Sequence, residues 1–246
     1  MTRRRWIADE VHENTAALVG EHALHLARVL RAEVGQEFDV ATGDAVRRGK
    51  ITSISGDRVE FTLGEELAVR PAPKVILVLA IFKFDRMEWA IEKCTEIGVA
   101  RIVPVIARRT DTHLAASAQK RHERWQHIAR QASEQSRRPA PPEIALPVKL
   151  KDLGSAGVSP ASRPEAGDKV CHLVLAECEE DTQLREVLTH RSTEAVLAIG
   201  PEGGWTDDEL QWFRESGWVA ASLGDRILRA ETAAIVAVAL ALDVLR

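Results

Sequence analysis

The sequence predicts an α/β fold in which helices cover a parallel sheet, preceded by a small β-rich unit. Beyond residue 73, apolar runs of strand length alternate with helical stretches, as in βαβ units. Before residue 71, short strand-like segments are separated by glycine turns. Pro71-Ala72-Pro73 makes a stiff, extended joint between these regions, so we place the domains at 1–71 and 74–246.

The first domain contains one helical pattern and three strand patterns. Leu24 and Ala27 fall on helical spacing, which predicts a helix over Glu21–Leu30. Turn residues at Gly43-Asp44 and Ser55-Gly56-Asp57 separate the predicted strands, which are Gln36–Val40, Arg48–Ile54 and Arg58–Leu63.

The second domain begins with Val75–Ala80, a continuous apolar run typical of a buried parallel strand. Further strands are predicted at Arg101–Ile106, His172–Ala176, Ala195–Ile199 and Trp218–Leu223. The intervening helices are predicted at Arg86–Ile97, Lys120–Ser136, Thr206–Ser216 and Glu231–Leu245. Residues 154–168 are rich in Gly, Ser, Pro and Ala, which predicts a flexible loop.

Charge is distributed unevenly along the 246 residues, whose net charge is −4. Residues 1–150 carry a balance of +4 and residues 151–246 a balance of −8, so contact with a polyanion is expected in the first part. No apolar run is long enough to span a membrane, and no signal peptide is evident, so we expect a cytoplasmic protein. The three cysteines include no Cys-x-x-Cys pair, which argues against a disulfide framework or a metal site.

Two glycine-containing segments follow predicted strands. The first, Ile199 to Thr206, holds three glycines and ends in Thr206 and Glu209, which form a capping box for the next helix. It lacks the Gly-Lys-Ser/Thr ending of a phosphate-binding P-loop and the spacing of a dinucleotide fingerprint. The alternative interpretation is a turn that only reverses the chain.

The second segment, Leu223 to Ala233, places three charged residues at the start of an almost wholly apolar helix: Arg226, Arg229 and Glu231. Charged groups beside a buried helix need partners or a ligand. An Arg229–Glu231 pair that merely ties the loop is the alternative. The apolar residues of both segments suit an adenine ring and a thioether chain better than a triphosphate.

These motifs resemble those of the bacterial 16S ribosomal RNA uracil-N3 methyltransferases, members of the SPOUT class. The likeness is carried by Gly200–Gly204 and Leu223–Ala233, and extends to Lys83–Glu88, Lys93–Val99, Ile102–Pro104 with Arg108-Arg109, Arg124–Arg138, Arg4–Trp6 and Val29–Arg31. Phe84 departs from the glycine usual in that family, and the 154–168 segment has no counterpart in its pattern.

The resemblance implies a PUA-like RNA-binding β-barrel at 1–71 and a SPOUT α/β domain at 74–246, with a C-terminal trefoil knot at about 195–246. It further implies a homodimer that uses S-adenosyl-L-methionine and no metal. By position, the cofactor-binding residues are Leu175, Ile199, Gly200, Pro201, Glu202, Gly203, Leu223, Gly224, Ile227, Leu228, Thr232 and Ala233.

The implied reaction is methylation of N3 of a specific uridine in 16S ribosomal RNA, free or in the small ribosomal subunit. We expect Arg229 to stabilise the charge on the base, and Glu202 or Glu231 to take the proton or orient Arg229. RNA contacts are expected from Arg3, Arg4, Arg5, Arg28, Arg31, Arg108, Arg109, Arg137 and Arg138. The alternatives are methylation of a ribose 2′-hydroxyl or a guanine, and a non-catalytic assembly factor that binds RNA.

Overall fold

The structure is a computed structural model that describes residues 5–43, 45–68, 73–158, 170–179, 181–188 and 192–245. It divides into two compact units. The first unit comprises Met1–Pro71 with Arg130–Pro141, and the second comprises Ala72–Ala129 with Pro142–Arg246. The predicted domains did not assign 130–141 to the first unit. Arg130 explains the grouping, because it donates hydrogen bonds to the carbonyl of Ile7 and the carboxylate of Asp9.

The first unit contains one sheet of six strands in the order β1-β4-β5-β6-β3-β2. The strands are β1 (Arg5–Ile7), β2 (Glu10–His12), β3 (Thr15–Val19), β4 (Glu37–Ala41), β5 (Val46–Ser55) and β6 (Arg58–Leu67). Strands β4 to β6 confirm the three predicted strands. The first three strands were missed, because segments of three to five residues show too little alternation to stand out.

The predicted helix of the first unit forms in two parts, α1 (Glu21–Leu24) and a π-helical continuation over His25–Val29. Leu26 on this helix is buried against strand residues such as Trp6, Leu18 and Phe61. This cluster is the hydrophobic core of the first unit. Of the predicted turns, Gly56 has the positive φ that such turns require, whereas Asp44 lies outside the described residues.

Four charged residues form a network in the first unit. His22 lies 3.5 Å from Asp9 and 3.5 Å from Glu134, and Arg130 contacts both carboxylates. The hydrogen bond to Asp9 raises the pKa of His22, with burial opposing and Glu134 adding to the rise. Burial opposes ionisation of Asp9, but hydrogen bonds and Arg130 outweigh it and lower the pKa of Asp9.

We expect this network to make stability fall with rising pH near neutrality. The contribution of His22 is complete below its ordinary pKa of 6.5 and is lost as pH rises through the raised value. That of Asp9 is present above its ordinary pKa of 3.8 and is lost as pH falls through the lowered value. Urea unfolding of the wild type should show a lower midpoint at pH 8.5 than at pH 6, and His22→Gln should reduce the difference. An equal difference in both proteins would contradict this expectation.

The second unit is built on a parallel sheet in the order β10-β8-β7-β12-β11-β13, with β9 beside β8. Its strands are β7 (Lys74–Ala80), β8 (Arg101–Ile106), β9 (Glu143–Ile144), β10 (Val148–Lys149), β11 (Val170–Leu175), β12 (Glu194–Ile199) and β13 (Val219–Ala221). Its helices are α2 (Phe84–Ile97), α3 (Thr112–Ser136), which continues into the first unit, α4 (Leu184–Val187), α5 (Asp207–Glu215) and α6 (Ala230–Val244). The predicted α/β class with a parallel sheet is therefore confirmed.

Alternate residues of the central strands face two separate cores. Leu77 and Leu197 belong to the core with α2, α3 and α6, whereas Val78 and Ala198 belong to the core with α5. Helices on both faces explain why the strands read as continuous apolar runs instead of alternating ones.

Several predicted boundaries were wrong. Helix α3 begins at Thr112 instead of Lys120, because the side chain of Asp111 accepts hydrogen bonds from the backbone N–H groups of His113 and Leu114 and so starts the helix. The last strand is shorter than predicted, at Val219–Ala221. Within the predicted loop 154–168, the start belongs to a 3₁₀-helix over Leu150–Ala156, and residues 159–168 lie outside the described residues.

The described helices fall short of a membrane span for two reasons. The longest, α3, is rich in charged and polar residues, and the most apolar, α6, has only 15 residues. Within the described ranges, no helix is both long and apolar enough to cross a bilayer.

Candidate functional site

Three loops at the carboxyl edge of the second unit's sheet enclose a cleft of about 760 Å³. They follow β11, β12 and β13, which lie side by side in the order β12-β11-β13. Because parallel strands end at the same edge, loops that are far apart in sequence meet there. We call this space the loop cleft.

The loop cleft contains most of the residues predicted to bind a cofactor. Those that line it are Leu175, Ile199, Gly200, Pro201, Glu202, Gly203, Leu223, Gly224, Ile227, Leu228 and Ala233. Thr232 is not among the lining residues. The turn of α6 that faces the cleft presents Ala230 and Ala233, which are three residues apart and share one face.

The first glycine segment is a compact turn fixed at both ends. The N–H of Gly204 donates to the carbonyl of Pro201 at 2.8 Å, and Gly204 has a φ of +68°. At the end of the turn, Thr206 and Glu209 form the predicted capping box at the start of α5. A Cβ on Gly200 would lie 3.3 Å from backbone atoms of Gly204 and Trp205, so the absence of a side chain permits this close approach.

The second segment leaves β13 through Gly224, whose φ is +109°. Its charged residues Asp225, Arg226 and Arg229 are exposed. Arg229 is the residue before the first turn of α6 and makes no capping hydrogen bond through its side chain. Ile227, 81% exposed, is an apolar side chain at the mouth of the cleft.

Glu231 is buried behind this mouth and does not line the cleft. The ion pair found for it joins Oε1 to Nε of Arg86 at 3.9 Å, which differs from the Arg229–Glu231 pair that we weighed from the sequence. Among the described residues, Oε2 of Glu231 has no hydrogen-bond partner. The pairing differs because Arg86 comes from α2, which packs against α6.

Glu202 lies in the cleft wall and is exposed. Its Oε1 accepts a long hydrogen bond of 3.4 Å from the backbone N–H of Lys83, the residue that precedes α2. A carboxylate at a helix N-terminus is favoured by the helix dipole. Of the three residues predicted to be catalytic, Glu202 and Arg229 line the cleft and Glu231 does not, and their catalytic roles stay predictions.

Sequence reasoning missed several cleft residues. Arg86 and Arg109 line it, as does the loop that follows β11, including Glu177 and Glu179. The rule that ligands gather beyond the carboxyl ends of strands would have found the β11 loop. It gives no signal for Arg86 and Arg109, which reach the cleft from a helix and a loop remote in sequence.

The arginines predicted to contact RNA have varied surroundings. In the first unit, Arg28, Arg31 and Arg137 are exposed, whereas burial lowers the pKa of Arg138 to about 10. Arg5 donates to the carbonyl of Arg137. In the second unit, Arg108 and Arg109 are exposed. Arg3 and Arg4 lie outside the described residues, and RNA contact by the set stays a prediction.

Two further findings concern tryptophan and metal. Trp6 and Trp205 are 1% and 6% exposed and belong to the cores of their units. Over the described parts of the chain, no three His, Cys, Asp or Glu side chains are grouped so that they could hold a metal ion.

A parallel α/β sheet with a cleft at its carboxyl edge, lined by glycine turns and apolar side chains, defines a protein that binds a nucleoside-sized molecule. Residues 70–242 match the family of the RNA methyltransferase domain. Ribosomal RNA small subunit methyltransferase E of Synechocystis is 33% identical over 234 residues, covering 94% of this chain and 74% of that protein. The chain belongs to this family of RNA methyltransferases.

Solved structures agree over nearly the whole chain. Ribosomal RNA small subunit methyltransferase E from Neisseria gonorrhoeae, crystallised bound to S-adenosyl methionine, is 28% identical with a TM-score of 0.81, covering 97% of this chain and 96% of that chain. A methyltransferase from Legionella pneumophila, solved in complex with its bound cofactor SAM, is 30% identical with a TM-score of 0.80 at the same coverage.

Proposed function

We propose that this chain transfers a methyl group from S-adenosyl-L-methionine to N3 of a specific uridine in the 16S ribosomal RNA of the small subunit. The observation that carries the proposal is the loop cleft, which two glycine segments and the β11 loop build together. The names of the related proteins support ribosomal RNA as the substrate. With such a substrate, we propose that the protein acts in the cytoplasm.

The cleft fits the proposed cofactor in size and chemistry. About 760 Å³ is within the usual range for a small-molecule site. Leu175, Ile199, Leu223 and Leu228 offer apolar surface for an adenine ring and a thioether chain, and the glycine turns let backbone approach a ligand closely. When bound, S-adenosylmethionine supplies an electrophilic methyl group on a sulfonium centre.

We assign to Arg229 the stabilisation of charge on the base. N3 of uracil carries a proton at neutral pH, and its loss leaves negative charge on O2 and O4. The exposed guanidinium of Arg229, at the cleft, would stabilise that charge by donating hydrogen bonds to one of these oxygens. The remaining rate enhancement would come from cleft residues that hold the two reactants in line.

We assign to the Glu202 carboxylate the role of accepting the proton from N3. Glu202 lines the cleft, whereas Glu231 is buried behind it beside Arg86. Glu202→Gln preserves shape and removes the proton acceptor, so we expect kcat to fall by about 100-fold. The Km for S-adenosylmethionine should change little. Glu231→Gln serves as the comparison, and a larger loss of kcat in that variant would transfer the role to Glu231.

The proposal is tested by methylation of RNA in vitro. The purified protein, labelled S-adenosylmethionine and small subunits from a strain that lacks the gene should yield 3-methyluridine in digested 16S RNA, detected by mass spectrometry. A 2′-O-methyl nucleotide or a methylguanine would assign a different reaction. Absence of both product and cofactor binding would leave an RNA-binding assembly factor.

We also propose that residues 1–71 form a PUA-like β-barrel that binds RNA. Its edge strands β1 and β2 are joined by only Ala8 and Asp9. The N–H of Ala8 donates to the carbonyl of Ala41 on β4, which is the neighbour of β1. The N–H of Asp9 donates to the carbonyl of Ala17 on β3, which is the neighbour of β2. Two residues span about 10 Å, whereas the edges of a flat six-stranded sheet lie about 24 Å apart. A solved structure with an open, flat sheet would contradict the barrel.

For residues 74–246 we propose the SPOUT arrangement, with a trefoil knot at about 195–246. Helix α6 contacts β7 and β12 directly and also contacts α4, which belongs to the connection between β11 and β12. These contacts support a path of α6 beneath the connection between β11 and β12, as a trefoil knot requires. A solved structure with α6 outside the connection would contradict it.

A homodimer completes the proposal. Helix α6 is apolar on nearly all sides, and Val236 and Leu240, which lie one turn apart, are only partly buried. An apolar helix surface in contact with water favours association with a second copy. Sedimentation equilibrium should give twice the chain mass of 27.1 kDa, and a monomer at micromolar concentration would contradict the dimer.

A further inference from the structure

Arg109 makes two hydrogen bonds to the glycine turn of the loop cleft. Its Nη1 donates to the carbonyl of Gly203 at 2.6 Å and to the carbonyl of Trp205 at 3.2 Å. Arg109 follows β8, so it reaches the turn from a part of the chain almost a hundred residues away. Both bonds are charge-assisted, and such bonds are stronger than neutral ones.

Gly203 is shaped to accept this side chain. Its φ is not among the positive values that require glycine, so backbone conformation alone would permit another residue. A Cβ at this position would lie 3.3 Å from Cδ and 3.6 Å from Cβ of Arg109. The glycine therefore provides the space through which the arginine chain passes along the turn.

A second hydrogen bond connects the loop after β8 to Glu209, which follows the glycine turn. Oε1 of Glu209 accepts from the backbone N–H of Arg108 at 2.7 Å, while Oε2 accepts from the N–H of Thr206 at 2.9 Å. The loop after β8 thus donates to a carboxylate at the end of the turn and to two carbonyls within it. These hydrogen bonds connect both the turn and the start of α5 to the loop after β8.

From this geometry we infer that Arg109 is a positioning residue that holds the 200–205 turn in the shape that binds the cofactor. The inference rests on the proposed function and deepens it. Part of the ordering cost of binding is removed when a loop is held in its bound conformation beforehand. The role differs from the RNA contact that the sequence predicted for this arginine, because two carbonyls of the turn already occupy its Nη1 group.

The test compares variants of the full-length protein by isothermal titration with S-adenosylhomocysteine. Arg109→Ala should weaken binding by about tenfold or more, since it removes two charge-assisted bonds. Arg109→Lys, which retains one donor and the charge, should recover part of the loss. Arg214→Ala removes an exposed arginine of α5 that does not line the cleft, so its affinity for S-adenosylhomocysteine should stay within about twofold.

Kinetic and RNA-binding measurements separate positioning from other roles. In Arg109→Ala, we expect the Km for S-adenosylmethionine to rise with kcat nearly unchanged. The dependence of RNA affinity on salt should equal that of the wild type, whereas loss of a phosphate contact would reduce the slope by about 1. A reduced slope with unchanged S-adenosylhomocysteine affinity would assign Arg109 to RNA and overturn the inference.

Gly203→Ala provides a second test that keeps the arginine. The new Cβ would require the Arg109 side chain to shift by a few tenths of an ångström. This shift should strain its hydrogen bonds to the turn and weaken S-adenosylhomocysteine binding in the wild-type background, but alanine at 203 should add little in Arg109→Ala. Equal effects in both backgrounds would overturn the inference. If Arg109→Ala does not fold, Gly203→Ala in the wild-type background still tests the inference, because that variant alone must then weaken S-adenosylhomocysteine binding. A wild type without any heat of binding would instead remove the proposed function, and this role with it.

Discussion

Replacement of Arg229 by alanine is expected to lower kcat by roughly 100- to 1000-fold, the usual effect of removing a donor that stabilises charge in a transition state. The affinity for S-adenosylhomocysteine should stay within a few fold. Arg229 lies at the cleft, is exposed, and is not paired with Glu231, whose ion pair is with Arg86. Its side chain is thus available to a substrate.

The substitution should not disturb the fold. The side chain of Arg229 does not cap α6, so alanine removes no helix-starting hydrogen bond. Thermal unfolding of Arg229→Ala should match the wild type within about one degree, in line with the small effects of most surface substitutions. Arg214→Ala, which removes an exposed arginine of α5, is the control for a general change in charge.

The measurement is a single-turnover methylation rate with saturating cofactor and small subunits. Arg229→Lys should retain part of the rate, because an ammonium keeps the charge but loses the two-pronged geometry of the guanidinium. Full activity in Arg229→Ala would remove this residue from the mechanism. Loss of activity together with loss of cofactor affinity would make it a binding residue instead.

Valine at position 200 is expected to weaken cofactor binding by roughly 10- to 100-fold. Even a Cβ on Gly200 would lie 3.3 Å from three atoms, which are the carbonyl carbon of Gly204 and the N and Nε1 atoms of Trp205. Two further methyl groups cannot be placed without moving the turn, because Trp205 is buried against Phe213. Crowding of this kind costs about 1–3 kcal/mol, or roughly 10- to 100-fold in affinity where the shape of the site is lost.

Gly200→Ala provides an intermediate case for comparison with Gly200→Val, and Gly154→Val is the control for valine at a glycine with open space around it. Alanine at 200 requires a shift of only a few tenths of an ångström, so we expect weaker binding than the wild type and stronger binding than Gly200→Val. A Cβ at Gly154 meets no atom within 4 Å, so valine there should leave affinity unchanged. Isothermal titration with S-adenosylhomocysteine measures all three. Wild-type affinity in Gly200→Val would show that the turn does not form the cofactor site.

Much of the second unit could be predicted from residues alone. Its long central strands read as apolar runs because both faces are covered, and Gly98 and Thr206 mark helix ends through backbone freedom and capping. The short strands β1, β2 and β3 could not be found in this way. These segments form strands mainly because they pair with other strands of the sheet, some of them far along the chain. The intrinsic β-propensity of their residues contributes less.

The candidate site also has features that the sequence predicts and features that only the tertiary structure provides. The sequence by itself determined the two glycine turns, their apolar neighbours and the position of Arg229 just before the last helix, since each of these depends on residues close together in the chain. Only the tertiary structure decided that Arg109 makes hydrogen bonds to the first turn and that Arg86 faces Glu231. Those arrangements depend on which strands and helices become neighbours, and the burial of a shared core fixes this, whereas local pattern carries no record of it.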